Sequence, residues 1–195
     1  LKINAAELCR LANVAQESSE ADRTSEEDLR SAIMSFLQTF DVDNGALDYM
    51  AITDGRHPAH LVQVLEKQDA ASFNMWRMDV IDLLSDSEQP KTLYPIGAGD
   101  TVAAGTLAAW QCLSRGADEQ HLLSKRVQDT LSTKRKAWGI VDDSEDNNMA
   151  LAFAFGLACG SASCLKEENS VFDVNDVMEL LEKMDKPESL SLVKV

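Results

Sequence analysis

The chain has no apolar run long enough for a bilayer-spanning helix, and it opens without the charged, apolar and small-residue regions of a secretory signal. Basic residues are scarce: 18 Lys and Arg stand against 33 Asp and Glu, for a net charge of -15. A surface that tracks nucleic-acid phosphates is normally basic, so this balance argues against nucleic acid as a partner. It leaves room for a small phosphorylated ligand, because backbone amides hold phosphate without Lys or Arg. The four cysteines, Cys9, Cys112, Cys159 and Cys164, form no C-x-x-C pair and lie in apolar stretches. They read as buried reduced thiols in a cytoplasmic protein. The three histidines are scattered, so a His/Cys metal centre is not expected. No G-K-[ST] follows any glycine-rich turn, which excludes a P-loop.

What is present is enough for one domain with a real core: 195 residues, 45% of them hydrophobic. Alternating strand-like and helix-like stretches predict an α/β layered fold with a largely parallel central sheet, as a single domain. "LKIN" reads as a strand and "AAELCRLANVA" as a helix, with Leu8, Leu11, Ala12 and Ala15 on its apolar face. "QESSEADR" reads as an exposed acidic loop. Thr24 and Glu27 have capping-box spacing ahead of a helix whose face is Leu29, Ile33, Phe36, Leu37 and Phe40. Tyr49–Thr53 reads as a buried strand ended by Asp54-Gly55, and "PAHLVQVLEK" as a further strand. Phe73 to Leu84 is mixed and partly strand. "KTLY" predicts a short strand entering the turn "PIGAGD". Two helices look apolar all round and therefore buried: Thr101 to Leu113, and "MALAFAFGLACGSASCL", where Gly156 and Gly160 allow close packing. Between them, residues 118–148 are polar, with a helix candidate from Leu122 to Leu131 and the acidic run "DDSEDNN". That segment reads as a solvated surface, or otherwise a partner site. Asp173 is placed to cap the closing helix "VNDVMELLEKM".

In parallel α/β sheets ligands bind beyond the carboxyl ends of the strands. Turns at Asn4, Gly55 and Gly97 are expected at such ends. Within "PIGAGD", small residues let an anion approach the outward amides of a helix start, and Asp100 falls in the first turn, where the dipole favours its ionised form. A carboxylate held beside an anion site is well suited to taking the proton of a hydroxyl that attacks a phosphoryl group.

"PIGAGDTVAAG" closely resembles the C-terminal signature of the ribokinase or PfkB family of carbohydrate kinases. "NAAE", Asn4 to Glu7, resembles the family's N-x-x-E motif, and "ITDG" its strand-end turn at the nucleotide. "GLACGSASCLKEEN" is similar to the helix and loop bordering the adenine. The resemblance implies a ribokinase-like fold lacking its N-terminal, sugar-binding part. It implies ATP-dependent phosphoryl transfer to a sugar or sugar phosphate, with ATP and Mg2+ as cofactors. Asp100 would be the catalytic base, and Gly97, Ala98 and Gly99 the anion hole. Glu7 would act on magnesium through water with Asn4 nearby, Thr53 and Gly55 would lie against the nucleotide, and Gly160 would line the adenine pocket. The Pro95-Ile96 pair before the glycine turn resembles the phosphofructokinase and tagatose-phosphate kinase branch, a weak pointer to a phosphosugar acceptor. The isolated chain is expected to be marginal, to form a homodimer or to need the missing half, with no nucleic-acid or membrane partner. Two other readings stand beside this one: a nucleotide-binding or interaction module without turnover, and a kinase for a nucleoside or vitamin alcohol.

Overall fold

The structure is a computed structural model that describes residues 1–14, 23–39, 47–65, 72–84, 92–114, 123–140 and 144–194. Most of the expected acidic loop at 16–23 and the first two residues of "DDSEDNN", like Ala15, Phe40 and Leu122, lie outside the described residues. Those described form a mixed α/β chain of five strands and six helices. They divide into two compact units, one of Leu1–Met78 with Pro187–Val195, the other of Asp79–Lys186.

The first unit holds the sheet. Its strands, β1 (Lys2–Asn4), β2 (Tyr49–Asp54), β3 (His57–Val64), β4 (Ser72–Met78) and β5 (Glu188–Lys194), lie side by side in chain order. Only β1 and β2 run parallel; every other pair is antiparallel. The expectation of a largely parallel sheet is therefore corrected. Parallel neighbours need a crossover of a dozen or more residues; β1 and β2 have one, through the helices α1 (Ala5–Leu11) and α2 (Glu26–Thr39), whereas the connections from β2 to β3 and from β3 to β4 are too short for it. β4 and β5 pair antiparallel although residues 79–187 lie between them in the chain. β2 and β3 are joined by Gly55 and Arg56 alone, with Gly55 at φ +60, a hairpin geometry. The closing strand β5 was not foreseen.

Strand alternation puts Ile3, Met50, Ile52, Val62, Phe73 and Met75 into one buried cluster with α1 and α2. From α1 the cluster takes Ala5, Leu8 and Cys9, with Ala12 just beyond its end. Leu11, expected on this face, is 63% exposed, because the spacing 5, 8, 9, 12 is the one that faces the sheet. On α2, Leu29, Ile33 and Leu37 are buried as their spacing predicts, and Phe36 packs partly against them. The expected cap is displaced by one residue. Thr24 donates its amide to Asp54 Oδ2 at 3.0 Å, and Ser25 closes the helix, its hydroxyl accepting from the Asp28 amide at 3.0 Å.

His60 is buried on β3, opposite Arg77 of β4. Burial is the main cause that pushes its pKa down to about 4. Arg77, Arg23 and Arg30 push the same way, and Glu26 opposes them. Folded His60 is therefore neutral where an unfolded histidine takes a proton, between about pH 6.5 and the folded value.

The second unit is helical. Helix α3 (Ala98–Ser114) lies against α5 (Glu145–Ser163), with α4 (Lys125–Ala137) and α6 (Val174–Lys183) beside them. Helix α5 is buried along nearly its whole length, as its composition predicts. Helix α3 is not. Its buried positions are Thr101, Val102, Gly105, Thr106 and Ala109, while Leu107 is 63% exposed. Small residues made α3 look apolar all round, although only one stripe of it meets α5.

That stripe is close-packed. A Cβ added at Gly156 would run into Thr106 Oγ1 and lie 2.5 Å from the Val102 carbonyl and 2.9 Å from the Thr106 amide. One added at Gly105 would lie 3.0 Å from Cys159 Sγ. Burial of Cys159 raises its thiol to about 12, so it is inert. None of the four cysteines is in a disulfide. No helix among the described residues is long and apolar enough to cross a membrane.

Gly156→Ala is expected to cost at the top of the ~1–3 kcal/mol range of overpacked sites, because two of the obstructing atoms are backbone. A denaturant midpoint measures it; an unchanged midpoint contradicts the packing described. His60 sets a second expectation. Its folded pKa lies below its unfolded value, so the unfolded state binds more protons in the window between them, and stability falls as pH drops from about 6.5 towards 4. Comparing unfolding free energies of wild type and His60→Leu across that window should show a shallower acid-side slope in the variant. Identical slopes would mean that His60 titrates normally.

Candidate functional site

The turn at Gly97 is built by three local features. Pro95 presents its carbonyl to the Ala98 amide at 3.2 Å. Gly97 takes φ +81, a left-handed conformation that side chains disfavour. Its carbonyl then accepts both the amide and the hydroxyl of Thr101, each at 3.0 Å, which starts α3. The expected strand entering this turn is absent: residues 92–95 are irregular, and Tyr94 donates its amide to the Cys164 carbonyl at 2.9 Å instead. The bond to the end of α5 takes the place of a strand ladder.

Of the three residues expected to form an anion hole, Gly97, Ala98 and Gly99, Ala98 has its amide engaged in the turn. The next two amides, of Gly99 and Asp100, belong to the first helical turn, where a helix offers no internal acceptor. Asp100 itself is the third residue of α3 and exposed.

Two neighbours complete the turn, and sequence reasoning singled out neither. A Cβ on Gly97 would lie 2.7 Å from the Ser170 hydroxyl, so the loop after α5 sits directly on the turn. Ser170 itself has φ 59. Thr101 is buried with its hydroxyl on Gly97. A Thr directly after G-A-G-D, four residues from Gly97, carried the signal for that bond; nothing in the sequence pointed to Ser170. Gly160, expected beside the adenine, faces α3: an added Cβ would strike Val102 and lie 3.1 Å from the Ala98 carbonyl. Its missing side chain lets the first turn of α3 rest on α5.

The other expected residues lie in the first unit. Asn4 and Thr53 are paired across the parallel ladder of β1 and β2, at the carboxyl ends of both strands. Gly55 follows at the hairpin, exposed, with open space where a Cβ would stand. "NAAE" forms a reciprocal capping box at the start of α1. Asn4 Oδ1 accepts the Ala6 amide at 2.9 Å, and Glu7 Oε2 accepts the Asn4 amide at 3.1 Å. The spacing N-x-x-E is thereby explained in full by local helix physics. Glu7 is exposed. Among the described residues no three His, Cys, Asp or Glu side chains converge to hold a metal. A magnesium ion near Glu7, reached through water, would therefore take its ligands from phosphate and water, as that ion commonly does.

Asn4→Ala should lower stability by about 1 kcal/mol, whereas Glu7→Gln, which keeps the accepting oxygen, should cost much less. Thermal or denaturant unfolding distinguishes them; equal losses would contradict the capping geometry.

No family model matches the chain, and no curated protein matches it. Among solved structures the chain is similar to phosphofructokinase-2 from Escherichia coli in complex with potassium, at 17% identity and a TM-score of 0.48. The match covers 93% of this chain and 39% of that one.

Proposed function

We propose that the chain supplies the nucleotide-binding and catalytic-base portion of an ATP-dependent kinase of the ribokinase-like type, acting on a hydroxyl of a sugar or sugar phosphate. The observation that carries this reading is the Gly97–Asp100 turn: a left-handed glycine, two outward amides and an exposed carboxylate at one helix start. Its sequence also carries the G-A-G-D signature of that family.

In this reading the Asp100 carboxylate takes the proton of the acceptor hydroxyl. The freed oxygen attacks the γ-phosphorus of ATP, the bond to the β-phosphate oxygen breaks, and ADP leaves. The Gly99 and Asp100 amides steady the charge gathering on the transferring oxygens, where preorganised donors contribute most. Magnesium, when bound, neutralises phosphate charge and orients the γ-phosphate. Asn4, Glu7, Thr53 and Gly55 belong to the nucleotide side of the reaction in this reading, with Glu7 reaching the metal through water. Gly160 is assigned the support of α3 rather than adenine contact.

The test is ATP-dependent phosphorylation of a panel of sugars and sugar phosphates, by the chain alone and joined to upstream residues of its reading frame. Asp100→Asn should lower kcat by about 10²–10⁴-fold, the usual worth of a general base, with ATP affinity little changed. Near-normal turnover in that variant would remove Asp100 from its role. ATP binding without turnover in every form would favour a nucleotide-binding module.

A further inference from the structure

Two polar atoms in the helical unit have no part in the proposed chemistry: the indole nitrogen of Trp110 and the amide oxygen of Asn148. Both are shut off from solvent, and among the described residues neither makes a hydrogen bond. Asn148 is only 6% exposed. Its backbone amide is already held by the Ser144 carbonyl at 3.1 Å, so the start of α5 asks nothing of its side chain. An indole nitrogen donates and an amide oxygen accepts. Each is costly when buried without a partner, and apolar side chains in their places would avoid that cost.

The contacts between α3 and α5 bring the two residues to one level. Along one side of α3 stand Ala98, Val102, Thr106 and Trp110, about a turn apart. Along the facing side of α5 stand Gly160, Gly156, Ala152 and Asn148, in the opposite direction. Gly160 meets the Ala98 carbonyl and Val102, and Gly156 meets the Val102 carbonyl and Thr106. Each member of the first row thus stands between successive members of the second. Continued along the helices, that register sets Trp110 between Ala152, which is fully buried, and Asn148. The hydroxyl within the rows is satisfied locally, Thr106 donating to the Val102 carbonyl at 2.8 Å. An unmatched donor and an unmatched acceptor therefore collect at the end of the helix pair remote from the Gly97 turn.

We propose that one water molecule is bound between α3 and α5 at this level, accepting from Trp110 Nε1 and donating to Asn148 Oδ1. A donor and an acceptor supply the minimum of polar partners that a buried water needs. A single bridging molecule completes both groups, which is enthalpically close to a direct hydrogen bond. The bridge ties the second half of α3 to the first turn of α5. It shares no residue with the Gly97–Asp100 turn and is independent of the kinase reading.

The probe is water itself, read by water-selective cross-relaxation in the 15N-labelled full chain, with rotating-frame spectra separating cross-relaxation from chemical exchange. Trp110→Phe assigns the Trp110 indole signal among those of Trp76, Trp110 and Trp138. In the wild type the Trp110 indole proton and the Asn148 side-chain amide protons should both show cross-relaxation with water, with the sign of a long-lived bound molecule. Asn148→Leu should lose the Trp110 cross-peak, while Asn148→Ser, which keeps an accepting oxygen, should retain it. Absence of the wild-type peaks, the sign of a rapidly exchanging surface water, or a Trp110 peak undiminished in Asn148→Leu would overturn the site. The wild-type spectra decide the matter if a variant fails to fold.

Discussion

The approach of α3 to α5 is the constraint on which the helical unit depends. Three positions without a Cβ, Gly105, Gly156 and Gly160, let the two backbones come nearly into contact. Gly156 receives Thr106 and the Val102 carbonyl, and Gly160 receives Val102 and the Ala98 carbonyl. The last of these matters most, because Ala98 is the first residue of α3. The direction in which α3 begins, and so the orientation of the Gly99 and Asp100 amides, is set by a glycine more than sixty positions downstream. The loop after α5 adds a second restraint where Ser170 lies on Gly97. The turn is thus held from two sides, by α5 and by the loop that follows it.

Strong local signals in the sequence survived in the structure. The Asp173 cap of α6 is present, its carboxylate accepting from the Asn175 amide at 2.7 Å. The buried α5 and the close approach permitted by Gly156 and Gly160 are present too. What was misread depended on tertiary context. Asp54-Gly55 carried a hairpin signal as well as a strand-end one, and taking only the second made the sheet look parallel. The cap of α2 lies at Ser25 rather than Thr24, and the Thr24 amide, which Glu27 would accept in a capping box, goes instead to Asp54, thirty residues away. No local pattern reveals such a competitor. Leu11 fell off its face for a simpler reason: α1 ends there, and Ala5 and Cys9 complete the stripe instead.

The candidate site was legible to an unequal degree. Gly97 and Asp100 could be read because a left-handed turn and a carboxylate at a helix start are local requirements. Asn4 and Glu7 were also visible, yet their spacing encodes a capping box whatever else they do. Local sequence therefore identifies the phosphoryl side of the proposed chemistry better than the metal side. Gly160 is decisive for a packing reason: without a Cβ it lets the first turn of α3 rest on α5.

The most direct measurement is an amide-shift titration of the chain with magnesium and a non-hydrolysable ATP analogue. The account predicts that the largest saturable shifts fall on Gly99 and Asp100, with smaller ones on Ala98, whose amide is held by Pro95. Saturable binding that leaves residues 97–101 unmoved would contradict it, because the turn would then have no part in holding the transferring phosphate.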